Sequence, residues 1–161
     1  MTTNDRIERD VYIAAEAAQV WAVLTQPQDI GTWFGNGDPA EIDLRPGGRI
    51  VFDHGDHGKL PAVIVRVDEP RLLSFRWAAD DTGDREPTDT NATLVEFTLT
   101  PEGEGTRLRV IESGFARVEA DPGMIERRYK ANAGGWGEAV RGLAAYVEKP
   151  EDDVLEEVDS I

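Results

Sequence analysis

Residues 121–149 read DPGMIERRYKANAGGWGEAVRGLAAYVEK. The apolar residues of this stretch recur every three or four positions, which places them on one face of an α-helix. They are Ile125, Tyr129, Ala133, Trp136, Val140, Leu143, Ala144 and Val147. Charged residues, among them Glu126, Lys130 and Arg141, take the other face. At about 1.5 Å per residue, some 25 residues span roughly 37 Å. The pattern therefore predicts one long helix that needs a broad apolar partner.

The chain before this helix opens with a strand and two short helices. Apolar residues alternate over Arg6–Ile13, which predicts a first strand. The period then changes to the helical one over Ala15–Thr25. Pro27 begins a second short helix, because the first helical position does not use its N–H. The apolar stripe of that second helix is Ile30, Trp33 and Phe34.

Further short strands fill the middle of the chain at intervals of about ten residues. Their alternating apolar residues fall within residues 40–44, 50–54, 63–67, 73–77, 95–99 and 108–112. Turn-forming residues separate them, and no helical stretch lies between them, so parallel crossovers are excluded and an antiparallel meander is favoured. We therefore predict an α+β fold. In it, a curved antiparallel sheet of about seven strands wraps on the long C-terminal helix, with two short helices after the first strand.

Composition limits the possible functions. The 161 residues predict a single domain over residues 1–149, and the acidic residues 150–161 predict a disordered tail. A net charge of −15 argues against nucleic acid and anionic membranes as partners. The absence of cysteine excludes disulfides, zinc–thiolate sites and cysteine nucleophiles. With no apolar run of membrane length and no secretory segment, we expect a cytoplasmic protein.

The predicted order of elements resembles the helix-grip fold of the START-like (Bet v 1-like) superfamily, also called SRPBCC. Local motifs narrow the resemblance to the bacterial branch related to the heat-shock-protein-90 ATPase activator homologue. They are VWAVLTQP at 20–27 with Trp33-Phe34, Pro46-Gly47-Gly48 with Phe52, DEPRLLSFRW at 68–77, Thr106–Val110 leading to Ser113-Gly114-Phe115, and Gly135-Trp136. The resemblance covers residues 6–149. It implies three kinds of function: ligand binding, polyketide cyclase-like catalysis, or co-chaperone interaction.

Motifs for catalysis and for cofactors are absent from the sequence. It has no G-x-S-x-G, H-E-x-x-H, P-loop or G-x-G-x-x-G pattern, so we predict no cofactor. His54 and His57, with Asp53 and Asp56, offer donors that suit a divalent ion. Nothing elsewhere supplies a fixed further ligand, so we interpret this segment as a polar turn and predict no metal.

Arg9 and Glu112 form the sharpest candidate pair. Alternation puts each on the apolar side of its strand, and the helix-grip order makes the first and last strands neighbours. A carboxylate facing an apolar interior is costly unless it is paired or hydrogen-bonded. The two residues could orient a polar group of a ligand, or Glu112 could act as a general base. The alternative is a structural ion pair, or two strand ends that reach water.

Aromatic side chains suggest a ligand pocket, although a filled core would use the same residues. The candidate ligand-binding residues are Trp33, Phe34, Phe52, Trp77, Phe97, Tyr129, Trp136, Val140, Arg9, His54 and Glu112. The leading hypothesis is that a small hydrophobic molecule, aromatic or lipid-like, lies in a hollow between the sheet and the last helix, in a monomer or a homodimer. The alternatives are a chaperone-interaction module, and a cyclase- or hydrolase-type enzyme that uses Glu112, Arg9 or His54.

Overall fold

The computed structural model describes residues 5–34, 37, 39–53, 58–79 and 86–148. Within these described residues, seven strands and three α-helices follow one another, with a short 3₁₀ turn at Phe115–Arg117 before the last helix. In chain order they are β1 (Arg6–Ile13), α1 (Ala17–Thr25), α2 (Pro27–Phe34), β2 (Glu41–Ile42), β3 (Arg49–Asp53), β4 (Lys59–Asp68), β5 (Leu72–Ala78), β6 (Ala92–Glu102), β7 (Gly105–Ser113) and α3 (Pro122–Glu148).

The strands form one curved, unclosed antiparallel sheet in the order β1-β7-β6-β5-β4-β3-β2. Sequential strands are neighbours from β2 to β7, as a meander requires, and β1 pairs with β7 at the far edge. The apolar side of the sheet packs on α3 and on the two short helices, where the core residues are buried. The predicted α+β helix-grip fold is confirmed.

The long helix has the predicted extent and face. It begins at Pro122, and the carboxylate of Asp121 accepts a hydrogen bond from the Met124 N–H at 3.0 Å, which satisfies one of the unpaired donors of the first turn. Its buried residues are Trp136, Gly137, Val140, Leu143 and Ala144. Val140 lies three or four residues from each of the other four, so all five share one face of the helix. This stripe meets the sheet, as the amphipathic pattern predicts.

Side-chain hydrogen bonds attach the second short helix to the other two helices. The indole N–H of Trp33 donates to the carbonyl oxygen of Val23 in α1 at 3.0 Å. The phenol of Tyr146 in α3 donates to the carboxylate of Asp29 in α2 at 2.6 Å. As a result α2 is tied to both α1 and α3, and its last residue is Phe34.

Three local features differ from the sequence predictions. The first short helix begins at Ala17 rather than Ala15, and β2 has two residues where five were predicted. The register of β4 shifts between Ile64 and Arg66, so Val65 is 39% exposed and the regular alternation predicted there is broken.

The acidic tail at 150–161 lies outside the described residues. Of the helices in the described part of the chain, none is long and apolar enough to cross a membrane.

Candidate functional site

A buried carboxylate lies in the interior, between the sheet and α3. Glu112, near the end of β7, is 0% exposed. Its Oε2 accepts hydrogen bonds from the Trp77 indole N–H at 2.8 Å and the Thr93 hydroxyl at 2.5 Å. Its Oε1 accepts from the Trp136 indole N–H at 2.8 Å and the Asn132 amide at 3.0 Å. One side chain therefore joins strands β5, β6 and β7 to helix α3.

The chemistry of these donors suits an ionised carboxylate. An indole N–H and an amide NH₂ group can only donate, and a carboxylate offers about four acceptor positions. All four positions are used, so the burial of this polar group is compensated. Because no acceptor position remains for a substrate proton, the geometry does not support Glu112 as a general base.

Strand alternation and the helical repeat together bring the four donors to Glu112. Glu112 lies opposite Val95, and Thr93 is two residues before Val95 on the same face of β6. Trp77 pairs directly with Thr93. Asn132 and Trp136 are four residues apart and so lie on the same side of α3. These partners form the Glu112 cluster: Glu112, Trp77, Thr93, Asn132 and Trp136.

The two indoles of this cluster are also part of an aromatic stack. The ring centroids of Trp77 and Trp136 are 5.6 Å apart, with 24° between the ring planes. The Phe34 ring stacks on Trp136 at 5.6 Å and 5°, and on Trp77 at 6.1 Å and 19°. Phe52 meets the Phe34 ring edge-on at 5.2 Å, and Phe97 meets Trp136 edge-on at 5.6 Å. We call the space enclosed by these five rings, beneath α2, the aromatic slot.

The aromatic slot is nearly filled by its own side chains. The cavity that remains has a volume of about 10 Å³, which is the space of roughly one water molecule. The lining residues are Leu24, Ile30, Trp33, Phe34, Ile50, Phe52, Leu73, Phe75, Phe97 and Trp136. The prediction of a ligand-sized hollow between the sheet and the last helix is therefore wrong for this conformation. Phe34, which is half-buried, takes up the room between Trp136 and Phe52.

The predicted site residues divide into two groups. Six are brought together at the aromatic slot: Trp33, Phe34, Phe52, Trp77, Phe97 and Trp136. Tyr129 lies elsewhere, because its hydroxyl donates to the carbonyl oxygen of Arg6 at 2.9 Å and its ring packs on Phe115. Val140 is buried one turn beyond Trp136 and does not line the remaining cavity.

The predicted meeting of Arg9 with Glu112 is wrong. In the register of β1 with β7, Ile7 lies opposite Glu112 and Arg9 lies opposite Val110. Arg9 is exposed, and its guanidinium donates to the carbonyl oxygen of Glu8 at 2.9 Å. The physical reason is that neutral donors already satisfy Glu112, so burying a guanidinium there would cost desolvation without any gain.

The predicted polar turn at 54–57, which includes His54, lies outside the described residues. Within the part of the chain that the structure describes, no group of three or more histidine, aspartate or glutamate residues is placed to hold a metal ion.

Sequence reasoning missed two of the four donors to Glu112. Thr93 continues the inward alternation of Val95 and Phe97, and Asn132 precedes Trp136 by one helical turn. The strand alternation at Thr93 and the helical spacing of Asn132 could both have identified these donors from the sequence. A buried glutamate needs hydrogen-bond donors, and inward-facing polar residues on adjacent elements can supply them.

Comparison with solved structures gives the same fold. The protein MLL2253 from Mesorhizobium loti is similar over 89% of this chain and 97% of its own, with 25% identity and a TM-score of 0.69. DynU16, described as a putative protein in the dynemicin biosynthetic locus, is 25% identical with a TM-score of 0.71. The match covers 91% of this chain and 48% of DynU16, so this chain spans about half the length of that relative.

The Aha1 dimer from Colwellia psychrerythraea has 16% identity and a TM-score of 0.67, over 89% of this chain and 96% of its own, which supports the fold alone. In the comparison with curated proteins, no sequence matches. The family model described as "Activator of Hsp90 ATPase homolog 1-like protein" matches residues 14–148, which is most of the chain. This chain therefore belongs to the Activator of Hsp90 ATPase homolog 1-like family, within the SRPBCC proteins of helix-grip fold.

Proposed function

We propose that this protein binds a small hydrophobic molecule in the aromatic slot between α2, the sheet and α3. The observation that carries the proposal is the fixed wall of the slot. The indole N–H groups of Trp77 and Trp136 are both held by Glu112, so these two rings keep one orientation without any ligand. Apolar, aromatic and largely pre-formed walls are typical of small-molecule sites.

A pre-formed wall favours binding because little order is lost when the ligand arrives. Binding otherwise costs roughly 0.5–1.5 kcal/mol for each flexible side chain that becomes immobilised. Trp77 and Trp136 are 6% and 3% exposed, so they are already immobilised in the free protein. The remaining cost is making room, because the cavity of about 10 Å³ admits a ligand only after side chains of α2 move.

The relative DynU16 supports a ligand of this general kind, since its description places it in a biosynthetic locus and biosynthesis acts on small molecules. The support is limited to the segment that matches, which is 48% of that protein.

A fluorescence titration tests the proposal. The neutral apolar dye N-phenyl-1-naphthylamine is added to the wild-type protein, and energy transfer from tryptophan to the dye is recorded. We expect saturable binding that Trp136→Ala weakens by about tenfold or more, because stacking and apolar burial are both lost. Phe52→Leu keeps apolar bulk in the slot and should weaken binding without unfolding. Tyr12→Ala, at a 40% exposed ring on β1, is the control and should bind as wild type does. Non-saturable dye partitioning, equal in all variants, would overturn the proposal.

A chaperone-interaction module is the second candidate. The family model carries the name of an Hsp90 ATPase activator homologue, and the slot is closed in the conformation described. A purified heat-shock-protein-90 chaperone provides the test, through its ATPase rate with and without this protein. Stimulation that survives Trp136→Ala would favour this candidate over ligand binding.

An enzyme that uses Glu112 finds no support in the geometry, because four donors occupy its carboxylate.

A further inference from the structure

We infer that the Phe34 ring occupies the place of the ligand, and that the ligand is a flat, uncharged aromatic ring that displaces it. This inference rests on the proposed function and specifies the chemistry of the bound molecule. It excludes a lipid chain as the molecule that fits best. In the free protein, the Phe34 ring fills the space that the ligand takes on binding.

The stacking geometry argues for a flat occupant. Phe34, Trp77 and Trp136 have nearly parallel planes, with angles of 5°, 19° and 24° between the three pairs. The edges of Phe52 and Phe97 close the stack from the sides, at 81° to Phe34 and 81° to Trp136. Parallel faces and perpendicular edges are the two arrangements that aromatic rings prefer. A saturated chain in the same space would gain only dispersion and apolar burial.

The polar groups of the slot argue for an uncharged occupant. The N–H of Trp136 is bonded to Glu112, and that of Trp33 is bonded to the carbonyl oxygen of Val23. The other residues that line the cavity have no polar side-chain atoms. A polar or charged group placed there would lose its water without gaining a partner, which is unfavourable.

Exposure distinguishes Phe34 from the other rings of the slot. Phe52, Trp77, Phe97 and Trp136 are between 3% and 6% exposed, whereas Phe34 is only half-buried. The buried four belong to the sheet or to α3, and Phe34 is the last residue of the eight-residue helix α2. Rotation of its side chain toward water breaks ring contacts that an incoming aromatic ring restores. Phe34 is therefore the ring that leaves.

Fluorine NMR tests this displacement directly. The chain has five phenylalanines, so protein labelled with 4-fluorophenylalanine gives five signals, and Phe34→Leu assigns the one of interest. In the free protein, contact with the neighbouring Trp136 ring face shifts the Phe34 signal upfield. On addition of toluene to the wild-type protein, we expect that signal to move downfield toward the solvent value. The Phe115 signal, from a ring that packs on Tyr129 away from the slot, should stay in place.

A shape-matched pair of probes tests the ligand class. Toluene and methylcyclohexane have the same carbon skeleton, and only toluene is flat. In the wild-type protein and in Phe34→Ala we expect toluene to bind about tenfold tighter, the ratio that one good aromatic pair supplies. Phe34→Ala should bind toluene more tightly than wild type, since the competing ring is gone. Phe34→Leu, which refills the space with an aliphatic group, should return the affinity toward the wild-type value.

The outcomes separate this inference from the proposed function. Equal binding of toluene and methylcyclohexane would overturn the aromatic ligand class, and saturable toluene binding with an unmoved Phe34 signal would overturn the displacement. In either case the binding function would stand. If neither the wild-type protein nor Phe34→Ala binds any probe while both remain folded, the proposed function itself fails, and this inference fails with it.

Discussion

Two neighbouring regions of the molecule differ sharply in how their side chains are held. In the Glu112 cluster, one fully buried carboxylate accepts four hydrogen bonds from residues on three elements. At the end of α2, the half-buried Phe34 ring is held in the aromatic slot by ring contacts. Directional hydrogen bonds in a dry interior fix a geometry, whereas ring contacts at a helix end can be exchanged for similar ones.

This difference explains how one core can serve both as scaffold and as binding site. Trp77 and Trp136 belong to both regions, because their N–H groups contact Glu112 and their faces meet Phe34. The carboxylate keeps the wall in place while the ring in front of it changes.

Removal of the carboxylate should have the largest effect. Glu112→Ala leaves two buried indoles, one buried hydroxyl and one half-buried amide without their acceptor, at a cost of about 5 kcal/mol of unfolding free energy. Glu112→Gln keeps one acceptor oxygen and should lose about 2–3 kcal/mol. Urea unfolding measures both. Glu104→Ala, in an exposed turn, is the control and should change stability by less than about 0.5 kcal/mol. A Glu112→Ala protein with the wild-type urea midpoint would contradict the structural role of the cluster.

The next prediction compares two phenylalanines that both line the slot. Phe75 is 1% exposed and belongs to the fixed wall, so Phe75→Ala should cost about 3–5 kcal/mol. Phe34→Ala should cost only about 1–2 kcal/mol, because the ring is half-buried and its loss leaves a space open at one side. Thermal and urea unfolding of the two variants give the comparison. Equal losses would show that Phe34 is an ordinary core residue and would remove the distinction between wall and occupant.

A smaller change separates the two roles of Trp136. Trp136→Phe keeps an aromatic face for stacking and removes the N–H that contacts Glu112. We expect a loss of about 1–2 kcal/mol in stability. The affinity for toluene should fall as well, because the substituted ring is no longer oriented by the carboxylate. Unchanged affinity, measured by titration, would mean that Glu112 does not position the wall.

The smallest effect concerns the contact between α3 and α2. The hydrogen bond to Asp29 raises the pKa of the Tyr146 phenol in the folded protein. A raised folded-state pKa stabilises the fold below the unfolded value, near pH 10, and this contribution is lost as the pH rises through the folded pKa. Tyr146→Phe should therefore cost about 0.5–1 kcal/mol at pH 8 and progressively less above pH 10. Urea unfolding across this range checks the result. A difference that grows with pH would contradict the assignment.

The sequence predicts the architecture well because periodicity encodes burial. Alternation marks the strand Arg6–Ile13 at its observed bounds, and the three-and-four stripe marks α3 to within a residue or two. Pro27 marks the start of α2 because only the first helical turn accepts a proline. Such signals are local in sequence, so each can be interpreted without knowing which element it packs against.

The site is harder to predict because it depends on what lies opposite each side chain. Alternation correctly turns Glu112 inward, but it cannot show that Ile7 rather than Arg9 lies across from it. Aromatic residues fit a filled core and a ligand pocket equally well, and only the position of Phe34 between Trp136 and Phe52 shows how the slot is filled. Register and side-chain packing decide these points, and neither is local in sequence.

The most direct test follows the indole N–H signals of the four tryptophans by ¹⁵N NMR while toluene is added to the wild-type protein. The account predicts saturable shifts for Trp77 and Trp136, whose faces line the slot, with both N–H groups still protected from hydrogen exchange by Glu112. Trp21 in α1, which is buried away from the lining of the slot, should not shift. If Trp77 and Trp136 stay unchanged up to the solubility limit of toluene, the aromatic slot is a closed core and not a binding site.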